Sequence, residues 1–393
     1  MRAKSVLSVV FVGVLALGAV ACSSDNSSSD TTSTTISIDD FYKTPSPIPT
    51  GPAGTLVRSE PMDAPVAGSQ AWRVMYTSTG LNNEAIVVTG MVITPTATAA
   101  AKSRTVVSWA HPTSGIEDPC APSRSPEPFK DVQGLTEFIA NGWVVVATDY
   151  QGLGTDGPHP YLVGASEAHG TLDIVRLAGN MSETAASNKF FVFGHSQGGQ
   201  AALFAGQLAP TYSPELNLLG VAAAAPAGEL VELFNDDKDT AAGAVLGSYA
   251  VESWSAVFGY DTSTVIDPAY KDRVKAVAAK CVIGASKSSE LSLGIDDMIL
   301  KGRMWKADPA TTPPWQAQFA INTPAQSPIA APVLVLQGTA DKIIDPPTSA
   351  QLVAAYVANG TAATEQMMPG VNHMKAGADA VPYVVPFFNS LAR

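Results

Sequence analysis

Phe190–Phe193 is a short aromatic and apolar run, the composition of a strand buried on both faces. It leads directly into Gly194-His195-Ser196-Gln197-Gly198, a G-x-S-x-G pentapeptide, and then into Gly199-Gln200-Ala201-Ala202, the small-residue start of a helix. A strand, a sharp turn and a helix in that order hold a serine in strained backbone and lift its hydroxyl clear of the sheet. Gly194 and Gly198 carry no Cβ, so strand and helix can approach closely. The backbone N–H of Gln197, at the positive end of the helix, is placed to meet an oxyanion forming beside Ser196. The pentapeptide is weak by itself in a Gly- and Ala-rich chain. Its meaning depends on which parts follow it, and in what order.

The surrounding pattern is that of an α/β domain. Ala71–Thr79 and Ala85–Ile93 alternate apolar with polar across Gly80–Glu84 and predict an antiparallel hairpin. Arg104–Trp109 and Trp143–Thr148 are further strands, and the second is continuously apolar, as a sheet covered on both faces demands. Helical spacing follows in Asp131–Asn141 and Ser166–Ala178, with Val132, Leu135, Phe138, Leu172, Val175 and Leu177 facing a core. Leu216–Ala224, Pro332–Gly338 and Ala363–Met368 complete the strands, and Thr348–Ala358 is helical. Ala380–Leu391 is expected as a closing helix broken by Pro382 and Pro386. Strands alternating with helices predict a mostly parallel sheet flanked by helices.

From about Pro226 to Ser327 the alternation stops. Leu230–Phe234, Ala241–Phe258, Val274–Ala279 and Leu291–Met304 read as helices, with Trp254, Phe258, Tyr260, Trp305 and Trp315 among them. The expected organisation is therefore a core over 53–226 and 329–393, with a helical cap over 227–328. A separate helical domain is the alternative. The length of 393 residues allows this, and 46% apolar with 15% charged residues fits a chain with a large core. A net charge of −12 argues against a nucleic-acid partner, which needs clustered Lys and Arg.

The amino terminus reads as a targeting segment. Arg2 and Lys4 precede an apolar run, Val6–Val20, too short for a membrane span. Ala19-Val20-Ala21-Cys22 with a Ser-rich sequence after it resembles a bacterial lipobox, which implies a signal peptide over 1–21 and a lipid on Cys22. Ala19 departs from the usual Leu, and ordinary secretion with cleavage near Ala21 is the alternative. Both place the protein at the cell surface or outside the cell. Residues 22–52 are expected to form a disordered tether followed by an irregular lead-in. If Cys22 is acylated, Cys120 and Cys281 remain in an oxidising compartment, where they either pair or stay as separate thiols.

A serine nucleophile needs a base, and the base needs an orienting acid. On a strand–turn–helix elbow the order along the chain is Ser, acid, His. Of five histidines only His373 follows Ser196, in a loop directly after the last strand. Asp341 leaves the preceding strand after Gly338 and is the expected acid, with Asp345 the runner-up. A second oxyanion amide should come from His111-Pro112-Thr113-Ser114-Gly115, after the Arg104–Trp109 strand. Pro112 has no N–H, which leaves Thr113, with Ser114 behind it. His195 is expected to support the pocket rather than act as a second base. Asp149-Tyr150 ends a strand on the same edge and either lines the pocket or shapes a loop.

Several of these segments together resemble the secretory lipase family, in its actinobacterial branch. They are Trp109–Gly115 with Cys120-Ala121-Pro122-Ser123, Asp149–Gly154 followed by His159–Gly164, and Gly194–Gly199. The resemblance runs from about Gly51 to Arg393. It implies an α/β-hydrolase core with a helical cap and hydrolysis of acylglycerols or other carboxylic esters. It maps a triad onto Ser196, Asp341 and His373, and it implies a Cys120–Cys281 disulfide. The chain lacks the second cysteine pair of the fungal members, and its cap sequence does not align with theirs, so acyl-chain preference does not carry over.

The expectation is a secreted serine ester hydrolase, lipase or carboxylesterase, acting as a monomer with no metal or organic cofactor. An ester or lipid is its partner, and a lipid on Cys22 would attach it to a membrane. The rivals are an acyltransferase using the same triad and a non-catalytic surface binding protein on this scaffold.

Overall fold

The computed structural model describes residues 37–282 and 298–392. The expected signal peptide, Cys22, the tether up to residue 36 and part of the expected Leu291–Met304 helix lie outside those residues.

Nine strands form one sheet: β1 Leu56–Met62, β2 Ser69–Thr79, β3 Ala85–Pro95, β4 Arg104–Ala110, β5 Val144–Thr148, β6 Ala186–His195, β7 Asn217–Ala224, β8 Val333–Gly338 and β9 Ala363–Met368. Their spatial order is β1-β2-β3-β5-β4-β6-β7-β8-β9. The first three strands and the β3–β5 pair are antiparallel, and every pair from β5 to β9 is parallel. Ser196 therefore follows a strand in the middle of the parallel part.

Strand alternation divides the core into two layers. Trp109, Val145, Phe191, Phe193 and Leu336 face one side, where Phe138, Trp143 and Phe388 pack on them. Val106, Val144, Val146, Val192 and Val335 face the other, against Leu172, Val175 and Leu203. Both faces are buried, which is why the central strands read as continuous apolar runs.

The structure corrects several expectations. The closing helix runs unbroken over His373–Leu391, with Pro382 and Pro386 inside it. Both prolines lie on its exposed face, where carbonyls that lose their partner reach water. Val381, Val384 and Phe388 anchor the other face. The helix expected over Asp131–Asn141 is confined to Leu135–Ala140, because Gly134, with φ 77°, cannot belong to a right-handed helix. Ile38–Tyr42 is a short helix rather than irregular chain. Ser37 caps it, and it buries Phe41 and Tyr42.

Between β7 and β8 stand the helices Leu230–Asp237, Ala241–Phe258, Lys271–Ala278 and Trp315–Asn322. The last was not expected from sequence. Trp315 opens it, fully buried, with its indole N–H donating to Thr264 Oγ1 at 2.9 Å.

Candidate active site

Ser196 joins β6 to the helix Gln197–Tyr212 with φ 59° and ψ −118°, a conformation that a side chain of this kind rarely adopts. The turn is tight. A Cβ on Gly194 would come within 1.9 Å of the Gly198 carbonyl oxygen, and one on Gly198 within 1.9 Å of the Ala110 oxygen. Ser196 N–H donates to Ala224 O at 3.0 Å, which locks the turn to β7.

His373 Nε2 lies 2.9 Å from Ser196 Oγ, and its Nδ1 lies 2.9 Å from Asp341 Oδ2. The other carboxylate oxygen of Asp341 accepts from the amides of Ile343 and Ile344, each at 2.9 Å. Burial raises the Asp341 carboxyl, but the hydrogen bond and charge of His373, with those two amides, outweigh it and hold the group below its ordinary value. His373 opens the closing helix rather than lying in a loop. Asn372 caps that helix by accepting from Lys375 N–H, which fixes where the imidazole starts. Asp345 instead precedes the helix Pro346–Ala358 at its N-cap position.

Beside Ser196 is an apolar cavity of about 80 Å³. Thr113 and Gln197 line its base together with Ser196. Its wall comes from the helices between β7 and β8, through Leu230, Phe234, Leu246, Trp254 and Phe319. Asp237 also lines it, buried, with its carboxyl pushed up to about 7 by desolvation. Gln197 is the first residue of its helix, where N–H groups have no partner within the helix.

The Thr113 loop is held on its carboxyl-terminal side by the segment Cys281-Val282. Cys120 and Cys281 form a disulfide, and Val282 N–H donates to Ser114 O at 2.8 Å. Ser114 does not line the cavity. His195 is outside the Ser196 relay: its ring packs 5.0 Å from that of His373, and burial, then the neighbouring His373, lowers it to about 3. Asp149 and Tyr150 do not line the cavity either. Asp149 accepts from Thr89 Oγ1 and Ser123 N–H, and the Tyr150 hydroxyl donates to His111 O at 3.0 Å. Both shape the loops rather than the pocket.

Two polar residues behind this site were not expected from the sequence. Glu167 accepts from the Gln197 side chain, and Tyr161 pairs with Thr113. Tyr161 lies within the His159–Gly164 segment already singled out. Nothing local marked Glu167, which lies in an otherwise ordinary helix, Gly164–Asn180.

Among solved structures, the chain is similar to Candida antarctica lipase A in its closed state, with TM-score 0.73 and 18% identity over 90% of this chain and 85% of that one. It is also similar to a ligand-bound form of the rice cell wall degrading esterase LipA from Xanthomonas oryzae, with TM-score 0.70 and 21% identity over 87% and 99%. At these identities the likeness concerns the fold, which is that of the α/β-hydrolases. Lipase 7 of Candida albicans is 28% identical over 47% of this chain and 46% of its own length. A Mycobacterium tuberculosis relative named as a probable inactive lipase is 27% identical over 50% and 47%. The chain thus spans about half the length of these curated relatives. Residues 130–382, from before β5 well into the closing helix, match the family described as secretory lipase, and the chain belongs to that family.

Proposed function

We propose that the protein is a secreted serine hydrolase of carboxylic esters. The observation that carries this reading is the relay from Asp341 through His373 to Ser196, at 2.9 Å for each bond, beside an apolar cavity. Ser196 Oγ attacks the ester carbonyl while His373 Nε2 takes its proton. Asp341 holds the imidazole in the Nδ1–H tautomer and stabilises the imidazolium. The amides of Gln197 and Thr113 receive the oxyanion. His373 then returns the proton to the leaving alcohol, and water cleaves the acyl-enzyme by the same route.

The helices over 227–328 act as a cap whose apolar wall takes the acyl chain. The targeting segment exports the chain, with cleavage before Cys22 and a lipid on its sulfur, and the enzyme acts as a monomer. The mass of the exported protein, compared with Cys22→Ser, checks the lipid. The intact relay supports an active enzyme over the inactive state named for one relative.

The direct test is hydrolysis of p-nitrophenyl esters from acetyl to palmitoyl by the lipid-free protein beside Ser196→Ala. Turnover lost in the variant is the expected result. Folded protein with no turnover and no labelling by a fluorophosphonate would reject the reading. Transfer to an added alcohol at the expense of hydrolysis would redirect it to an acyltransferase.

A further inference from the structure

Glu167 is fully buried on the helix Gly164–Asn180, and among the described residues no basic side chain is bonded to it. Its Oε1 accepts from Gln197 Nε2 at 2.7 Å and from Leu162 N–H at 3.0 Å. Gln197 Nε2 also stands 3.2 Å from His159 Nε2. His159 Nδ1 lies 2.8 Å from Gln151 O, so Nδ1 carries the proton and Nε2 accepts from Gln197. Both amide protons of Gln197 are thereby used, one on Glu167 and one on His159. Two residues further along, the Tyr161 hydroxyl meets Thr113 Oγ1. One short segment, 159–162, thus reaches both residues proposed above to supply the oxyanion amides.

We propose that Glu167 is a positioning residue for ester hydrolysis: through the Gln197 side chain it fixes the amide beside Ser196 on which the oxyanion rests. This rests on the serine hydrolase reading above. Desolvation pushes the Glu167 carboxyl up to about 8, so near neutrality it holds Gln197 without placing a negative charge behind the oxyanion. The titratable groups facing it stay neutral through that range. Burial lowers His159 to about 3 and His111 to about 4, and it raises the phenols of Tyr150 and Tyr161 above their ordinary value. Ionisation of Glu167 above pH 8 then puts an unpaired charge beside Gln197, in a medium that screens it poorly, and opposes the oxyanion.

The test is kcat and KM on p-nitrophenyl butyrate across the neutral to alkaline range, for wild type, Glu167→Gln and Glu167→Leu, with Ser196→Ala as the blank. Wild-type kcat is expected to fall above about pH 8, and Glu167→Gln to lose that fall. Glu167→Leu should lower neutral kcat by about 10–100-fold with little change in KM, and Glu167→Gln should recover most of it. An alkaline fall that persists in Glu167→Gln overturns the proposal, as does a loss in Glu167→Leu expressed in KM rather than kcat. If Glu167→Leu does not fold, the pH profile of Glu167→Gln decides. A wild type no faster than Ser196→Ala would instead refute the serine hydrolase reading.

Discussion

The Tyr161 hydroxyl lies 2.9 Å from the hydroxyl of Thr113, across 48 positions of sequence. It ties the loop after β4 to the segment ahead of the helix Gly164–Asn180. A single hydrogen bond of this kind contributes about 0.5–1.5 kcal/mol, or roughly 3–10-fold in rate if it serves only the transition state. Tyr161→Phe and Thr113→Val should each lower kcat by about that factor with KM little changed. The double variant should be no worse than either alone, as steady-state kinetics on one short ester will show.

Asp341 and Asp345 separate cleanly by experiment. Asp341→Asn keeps the shape but disturbs the imidazole tautomer, and kcat should fall by about 10³–10⁴-fold. Among the described residues, the relay's hydrogen bonds do not include Asp345, which also makes no side-chain capping bond. Asp345→Ala should therefore stay within about 2-fold of wild type. Equal losses in the two variants would dismiss this assignment of the acid.

Three buried histidines tie stability to pH. His111, His159 and His195 are lowered by desolvation to about 4, about 3 and about 3. Below the ordinary value of 6.5 the unfolded chain takes up protons that the folded chain refuses. Their stabilising contribution is therefore complete above that value and lost as pH falls toward 3. The melting temperature should drop across this window, and His195→Gln should flatten the drop. A slope unchanged in the variant would count against His195 as a source.

The Cys120–Cys281 bond spans 161 residues. The chain-entropy argument gives about 4–5 kcal/mol for a loop of this size, as an upper figure. Reduction, or Cys120→Ser with Cys281→Ser, should lower the melting temperature by several degrees. It should also reduce kcat, because the Val282–Ser114 bond next to Thr113 loses its support. Calorimetry with and without a phosphine reductant, followed by an ester assay, measures both effects.

Much of this was legible in the sequence because the deciding signals are local. The run Phe190–Phe193 before Gly194 fixed a strand and a turn, and only one histidine followed Ser196. Strand β1 was missed because it is an edge strand containing Arg58, Glu60 and Pro61, with no apolar face to betray it. The helix Trp315–Asn322 was missed because the prolines before it mask its start. The closing helix was misjudged because a proline's cost depends on which face it occupies, and that is a tertiary fact. Glu167 was invisible for a similar reason. Its partners, Leu162 and Gln197, lie on other elements, and no spacing rule connects them.

The helix Ala241–Phe258 does more than wall the cavity. Its Ser253 hydroxyl donates to His159 O at 2.6 Å and accepts from Tyr161 N–H at 2.9 Å, while the Trp254 indole donates to Tyr161 O at 2.8 Å. Anyone grafting a foreign insertion to retarget the proposed hydrolase would therefore have to transplant this serine and tryptophan with it. An exchange that kept only the pocket shape would trade a new specificity for a slackened catalyst.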